Sequence, residues 1–144
     1  MGKSLVLRLS AGAAGDSSSP PATEAQARRR ARQLQRDLAV LAKFVGVYCR
    51  HRHRGAEKSP LRFGGRTPEW AAGWPALCGS CRKLLAHVLV KRLRCPYDPK
   101  PACRKCSTHC YAPKYRSEMR AVMRYAGRRL VLSGRLDYLL HLLT

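Results

Sequence analysis

Acidic residues are scarce in this sequence, and their scarcity excludes several classes of function. Asp and Glu number 8 against 29 Lys and Arg, so the formal net charge is +21 at pH 7. So few carboxylates leave little equipment for general acid–base catalysis. The chain also shows no paired carboxylates, no Ser/His/Asp arrangement and no glycine-rich phosphate loop. The sequence therefore favours a role other than that of an enzyme.

Long apolar runs are also missing. No stretch approaches the ~18 residues that identify a transmembrane helix, which excludes an integral membrane protein. The Leu5–Leu7 run is interrupted by Arg8 and is too short for a signal peptide. We therefore expect a cytoplasmic protein without membrane association. Thiols stay reduced in that compartment, so the seven cysteines indicate metal binding or redox chemistry rather than structural disulfides.

Apolar periodicity predicts an all-α fold of three to four helices behind a disordered tail. Residues 1–23 are rich in Ser, Gly, Ala and Pro and bury too little apolar surface to offset the entropy of ordering. The remaining residues, 24–144, form the predicted Cys-rich helical metal-binding domain. Helical spacing predicts helices from about Glu24 into Cys49–His53, from about Cys78 to Cys95, from about Lys114 to Gly127, and over Leu136–Leu143. Their apolar stripes are narrow, and a small core of that kind needs an added crosslink, such as a bound metal ion or a disulfide.

Cysteine spacing indicates that the crosslink is a bound metal ion. Two C-x2-C pairs, Cys78/Cys81 and Cys103/Cys106, each place two sulfurs where one ion can accept both. One partition joins both pairs in a single four-cysteine site. The other, which we prefer because it uses more of the candidate ligands, predicts two sites. The first takes Cys49, Cys78, Cys81 and a histidine, His53 or His51, and the second takes Cys95, Cys103, Cys106 and Cys110.

The spacing leaves the identity of the metal open. The second set reads C-x7-C-x2-C-x3-C with Pro96 after its first cysteine, a pattern compatible with zinc or with an iron–sulfur cluster such as [4Fe-4S]. A thiol–disulfide couple at Cys78-Gly79-Ser80-Cys81 is disfavoured because no strand or βαβ context accompanies it. The cysteines therefore predict metal binding with either cofactor.

A run of arginines in the first helix raises nucleic-acid binding as an alternative. The run consists of Arg28, Arg29, Arg30, Arg32 and Arg36. A net charge of this size attracts polyanions through counterion release. No recognised DNA-reading motif accompanies the run, so the binding expected of this basic face is non-specific. The sequence identifies no other partner, and such a run is most often a solvated helix face.

Five stretches of the chain match the motifs of a known bacterial family. They are Val47–His53, Leu77–Leu85, Cys95–Tyr111, Met119–Gly127 and His141–Leu143. On these stretches the chain resembles the nitrous oxide-stimulated promoter proteins over roughly residues 34–143. The chain departs from the family at Arg128, where a proline typically follows the glycine, and in a Gly/Pro/Trp-rich insertion before Cys78.

The resemblance implies a context and leaves the reaction undefined, since the family is named for genes switched on under nitrosative stress. Nitric oxide attacks iron–sulfur clusters and zinc thiolates alike, so a Cys-ligated site fits that context. We therefore predict a small metal-binding cytosolic protein of the nitric oxide stress response. The alternative is a zinc-scaffolded nucleic-acid-binding module that uses its basic helix.

Overall fold

The computed structural model describes residues 23–98, 100–103 and 105–134. Its regular elements are α1 (Glu24–Arg52), a 3₁₀ turn (Glu69–Ala71), α2 (Gly79–Leu93) and α3 (Pro113–Leu132). The described part of the chain contains isolated bridges but no strand, so the predicted all-α fold is confirmed. The predicted tail, apart from Thr23, and the predicted helix over Leu136–Leu143 lie outside the described residues. Within those ranges, no helix combines the length and apolarity that a bilayer crossing requires.

Helix α1 begins at a capping box and is much longer than the part of it that packs. The Thr23 hydroxyl accepts a hydrogen bond from the Gln26 backbone at 3.3 Å, and the Gln26 side chain accepts one from the Thr23 backbone at 2.7 Å. The first buried residue of the helix is Leu38. The turns before Leu38 therefore form a mostly exposed arm, Glu24–Asp37, which carries all five arginines of the basic run.

Helix α3 begins at Pro113, whose fixed φ suits the first helical position. It extends to Leu132, so the predicted end near Gly127 is wrong. Gly127 lies inside the helix and is buried, and the buried stripe continues from Ala126 to Leu130. A glycine inside a helix costs about 1 kcal/mol relative to alanine, and burial of this stripe offsets that cost.

The core lies where α1 packs against both other helices. Its largest fully buried side chains are Phe44, Leu77, Leu85, Leu89, Val45, Val88, Val122 and Cys49. An ion pair at its margin joins α1 to α2, since the Arg92 Nε donates to the Asp37 carboxylate at 2.7 Å. Both side chains are largely removed from solvent, with 13% of Arg92 and 23% of Asp37 exposed.

The connection between α1 and α2 folds back so that the start of α2 meets the end of α1. Ser59 and Leu77 exchange both backbone hydrogen bonds, at 3.0 and 2.9 Å. The ring of Pro75 lies directly on Gly46, because a Cβ at Gly46 would stand 2.4 Å from the Pro75 Cγ. Glycine is therefore what allows this close approach, one turn before Cys49 along α1.

Candidate metal centre

The last turn of α1 supplies two candidate ligands. Cys49 and His53 are four residues apart, so they share one face of the helix. His53 is the C-cap, and its backbone N–H donates to the Cys49 carbonyl at 3.0 Å. The Lys58 ammonium donates to the carbonyls of His53, Arg54 and Ala56 at 2.9, 3.2 and 3.0 Å. Lys58 thereby satisfies carbonyls that the helix end leaves without partners and fixes the backbone that carries His53.

The start of α2 supplies the other two. Cys78 is the N-cap and Cys81 lies three residues later, in the first turn. The Cys78 backbone N–H donates to the Cys49 Sγ at 3.3 Å, which joins the two helix ends directly. The Ser80 Oγ lies 3.3 Å from the Cys78 Sγ. Thiolates at this position are favoured by the positive end of the helix dipole.

These four residues form one compact donor set. The ligand atoms of Cys49, His53, Cys78 and Cys81 all lie within 4.8 Å of one another. The His53 Nδ1 lies 3.3 Å from the Sγ of Cys78 and 3.3 Å from that of Cys81. Ligands at zinc-like distances around one tetrahedral ion stand about 3.6–3.8 Å apart. The three cysteines are buried and His53 is half-buried, so the arrangement could hold one metal ion away from solvent.

The two histidine candidates separate clearly. His53 joins the group, whereas the His51 ring lies beside Tyr125, with 6.3 Å between ring centroids. Desolvation and the nearby charges of Arg129, Arg54 and Arg50 lower the pKa of His51. The Tyr48 ring meets the His53 ring edge-on at 5.6 Å. His51 is therefore directed to a basic surface, and His53 is the histidine that faces the thiols.

The thiols of the centre differ in their affinity for protons. Burial acts to raise the pKa of Cys78, but hydrogen bonds from Ser80, Cys81 and Cys49 lower it to about 6. Burial and the neighbouring Cys78 and Cys49 raise the pKa of Cys81. Without a metal, these shifts favour a thiolate at Cys78 and a proton on Cys81, and a metal ion that binds Cys81 must displace its proton.

The second predicted set is not brought together. Among the described residues, Cys95, Cys103, Cys106 and Cys110 do not form a group like the first. Cys103 and Cys110 are exposed, and the other two are half-buried. No core forces this loop to close on itself. Their role as ligands stays a prediction. The single site made of both C-x2-C pairs is not found in the described part of the chain, because Cys78 and Cys81 face Cys49 and His53.

Tyr111, the residue after the last loop cysteine, packs against the helical core. Burial, together with the thiols of Cys103 and Cys110, raises the pKa of the Tyr111 hydroxyl, and Cys95 contributes in the same direction. The Tyr111 ring meets His87 of α2 edge-on at 5.8 Å between ring centroids. Tyr111 therefore anchors the end of the cysteine loop to the helical core.

Sequence reasoning missed the residues that support the centre. The contact between Gly46 and Pro75 joins residues far apart in the chain, and no local pattern signals such a contact. Lys58 carried a weak signal, since basic residues near a helix end often satisfy its last carbonyls. The first places the α1–α2 connection on α1, and the second holds the backbone around His53.

Comparison with known proteins gives a family and one relative. Residues 32–144 match the family model described as nitrous oxide-stimulated promoter. The uncharacterized protein YgbA of Escherichia coli (strain K12) is 49% identical to this chain over 43 residues. That match spans 28% of this chain and 37% of the E. coli protein. No solved structure matches the chain.

Proposed function

This chain belongs to the nitrous oxide-stimulated promoter family, and we propose that it is a non-enzymatic, cytoplasmic zinc protein of the nitrosative stress response. The family description refers to how genes are switched on, so it supports a context rather than a reaction. The observation that carries the proposal is the buried group of Cys49, His53, Cys78 and Cys81, whose ligand atoms lie within 4.8 Å of one another.

The spacing of the donors favours one zinc ion over an iron–sulfur cluster. A single ion bound at about 2.0–2.3 Å requires its ligands to be nearly in contact, as they are here. A [4Fe-4S] cluster places four irons and four sulfides between its ligands and so needs a wider opening. Three thiolates and one imidazole are also an ordinary donor set for structural zinc.

Burial favours a scaffold as the role of the zinc. Closed four-ligand zinc sites are structural, whereas catalytic sites keep an open position. An ion held by Cys49, His53, Cys78 and Cys81 would join the end of α1 to the start of α2. A structural zinc contributes on the order of 10 kcal/mol to folding, and this contribution adds to what so small a core supplies.

Anaerobic purification followed by zinc, iron and sulfide analysis tests this proposal. We expect a colourless protein containing zinc, and we expect Cys49→Ser to lose about one zinc per chain together with part of its helical circular dichroism. Ser107→Ala is the matched control, because it alters an exposed loop hydroxyl outside the donor set, and it should retain both. A brown protein whose iron and sulfide disappear in Cys49→Ser would overturn the zinc assignment.

A second candidate, polyanion binding, is favoured by the exposed arm of α1. Arg29, Arg30, Arg32 and Arg36 line one shallow groove, where Asp98 is the acidic residue and pairs with Arg30. Arginines one turn apart repel one another, and a polyanion relieves that repulsion. We expect sequence-independent DNA or RNA binding that weakens steeply with salt and is lost when Arg29, Arg30 and Arg32 become Gln. A strong preference for one sequence at roughly 0.2 M salt would instead indicate specific recognition.

A further inference from the structure

The connection between α2 and α3 has no core of its own. From Arg94 to Ala112, none of the residues that the structure describes is fully buried, and Tyr111, at the end of the connection, is the one that packs against the helical core. The connection is longer than the ~12–15 residues beyond which a loop without secondary structure is uncommon unless it is functional or disordered. Ordering such a loop costs conformational entropy, and the packing of Tyr111 at one end offsets only part of that cost.

A side-chain contact nevertheless closes this loop. The Tyr97 hydroxyl lies 2.6 Å from the Thr108 Oγ1, and the Lys105 backbone N–H donates to the Ala102 carbonyl at 2.9 Å. Tyr97 is two residues from Cys95, and Thr108 is two residues from both Cys106 and Cys110. The contact therefore brings the two ends of the loop, with three of its four cysteines, into one region.

The carboxylate and the imidazole of the loop, two other candidate metal ligands, already have partners. Asp98 pairs with Arg30 of α1, and the His109 Nε2 lies 3.3 Å from an Arg116 guanidinium nitrogen. The four thiols are thus the soft donors left in the described part of the loop, and soft thiolates select zinc and similar ions over magnesium or calcium. The exposed Lys100 and Lys105 suit a four-thiolate zinc site, which carries a net charge of −2.

We propose that Cys95, Cys103, Cys106 and Cys110 close around a second soft metal ion, Zn²⁺, in a solvent-open site that exchanges its ion independently of the buried centre. The ion takes the place of the missing core. Its sulfurs, which stand apart without a metal, must then come within about 3.8 Å of one another. Exposure of Cys103 and Cys110 makes this ion the more accessible to chelators. The inference goes beyond the proposed scaffold and does not depend on it.

Zinc stoichiometry and transfer to a chromogenic chelator, measured on the full-length reduced protein, test the inference. We expect two zinc ions per chain and two kinetic phases of transfer. Cys103→Ser/Cys106→Ser should retain one zinc and only the slow phase, whereas Cys49→Ser/Cys78→Ser should lose the slow phase. Ser107→Ala, in the same loop, should keep both ions. A loop double variant that still holds two zinc ions would overturn the inference.

One further result separates this site from the buried centre without relying on the folding of a variant. Wild-type protein loaded with Co²⁺ should show thiolate-to-metal absorption more intense than the three cysteines of the buried centre can supply. If wild type binds one zinc that only Cys49→Ser/Cys78→Ser removes, the loop site is wrong and the buried centre stands. If only the loop variant removes it, the buried centre is wrong and the loop site stands.

Discussion

Replacing Gly46 by alanine should weaken zinc binding although the new methyl group lies outside the donor set. Its Cβ would stand 2.4 Å from the Pro75 Cγ, so the proline ring must move by about 1 Å to reach an ordinary contact distance. Metal–ligand distances tolerate only about ±0.2 Å, and Pro75 is three residues before Cys78. We therefore expect zinc affinity to fall by roughly 10–100-fold, the range seen when residues supporting metal ligands are changed.

The effect on stability should be smaller than the effect on affinity. Alanine is the better helix former by about 1 kcal/mol, whereas overpacking a core costs about 1–3 kcal/mol. The metal-free Gly46→Ala variant should therefore lose about 1 kcal/mol of unfolding free energy. This small loss means that the reduced zinc affinity cannot be ascribed to a generally unfolded protein.

Chelator competition for zinc, with urea unfolding of the metal-free protein, measures both quantities. Gly79→Ala is the matched control, because Gly79 lies between the ligands Cys78 and Cys81 yet a Cβ there meets nothing within 4 Å. It should keep wild-type affinity. If Gly46→Ala binds zinc as tightly as Gly79→Ala does, the argument that Pro75 positions the ligands is refuted.

Two further predictions concern charge. Asp37→Asn should lower the unfolding free energy by about 1.5–3 kcal/mol in urea titrations, because Arg92 loses a charged partner in a mostly buried pair. The control is Glu24→Gln, in the exposed pair with Arg28, which should change the unfolding free energy by less than about 0.5 kcal/mol. In metal-free protein the folded pKa of Cys78, about 6, lies below its ordinary value of 9.0, so its stabilising contribution is full above pH 9 and is lost as pH falls through 6. The ultraviolet absorbance of the Cys78 thiolate should therefore disappear as the pH falls, with a midpoint near pH 6. Ser80→Ala removes the hydroxyl that hydrogen-bonds to the Cys78 Sγ and should raise that midpoint. An unchanged midpoint would contradict the role of this hydrogen bond.

The sequence predicted those parts of the centre that local geometry controls. The C-x2-C pair was expected at a helix start and lies there. The histidine at the end of the first helix was left open between His53 and His51, and His53 is the one that faces the thiols. The same spacing distinguishes the histidines, because a residue four positions from Cys49 shares its face and one two positions away does not. Helical spacing could thus have separated His53 from His51, which were both left as candidates.

Other features depended on contacts that a single sequence does not encode locally. Gly127 looked like a helix end because glycine usually punctuates helices, but tertiary packing of Ala126 and Leu130 carries α3 past it. The sequence also did not determine whether Cys78 and Cys81 face Cys49 and a histidine or the pair Cys103 and Cys106. That choice follows from the fold of the α1–α2 connection, through the contact of Pro75 with Gly46 and the backbone pairing of Ser59 with Leu77.

The arrangement of the buried ligands as two sequence-local pairs has a consequence for the unfolded chain. Only two residues separate Cys78 from Cys81, and unfolding does not change that spacing, so the denatured ensemble keeps a bidentate zinc ligand. Cys103 and Cys106 form another. Zinc bound to the unfolded chain reduces the stabilisation that mass action would otherwise give the native state. The melting temperature should therefore rise steeply with the first equivalents of zinc and level off as excess metal occupies both ensembles.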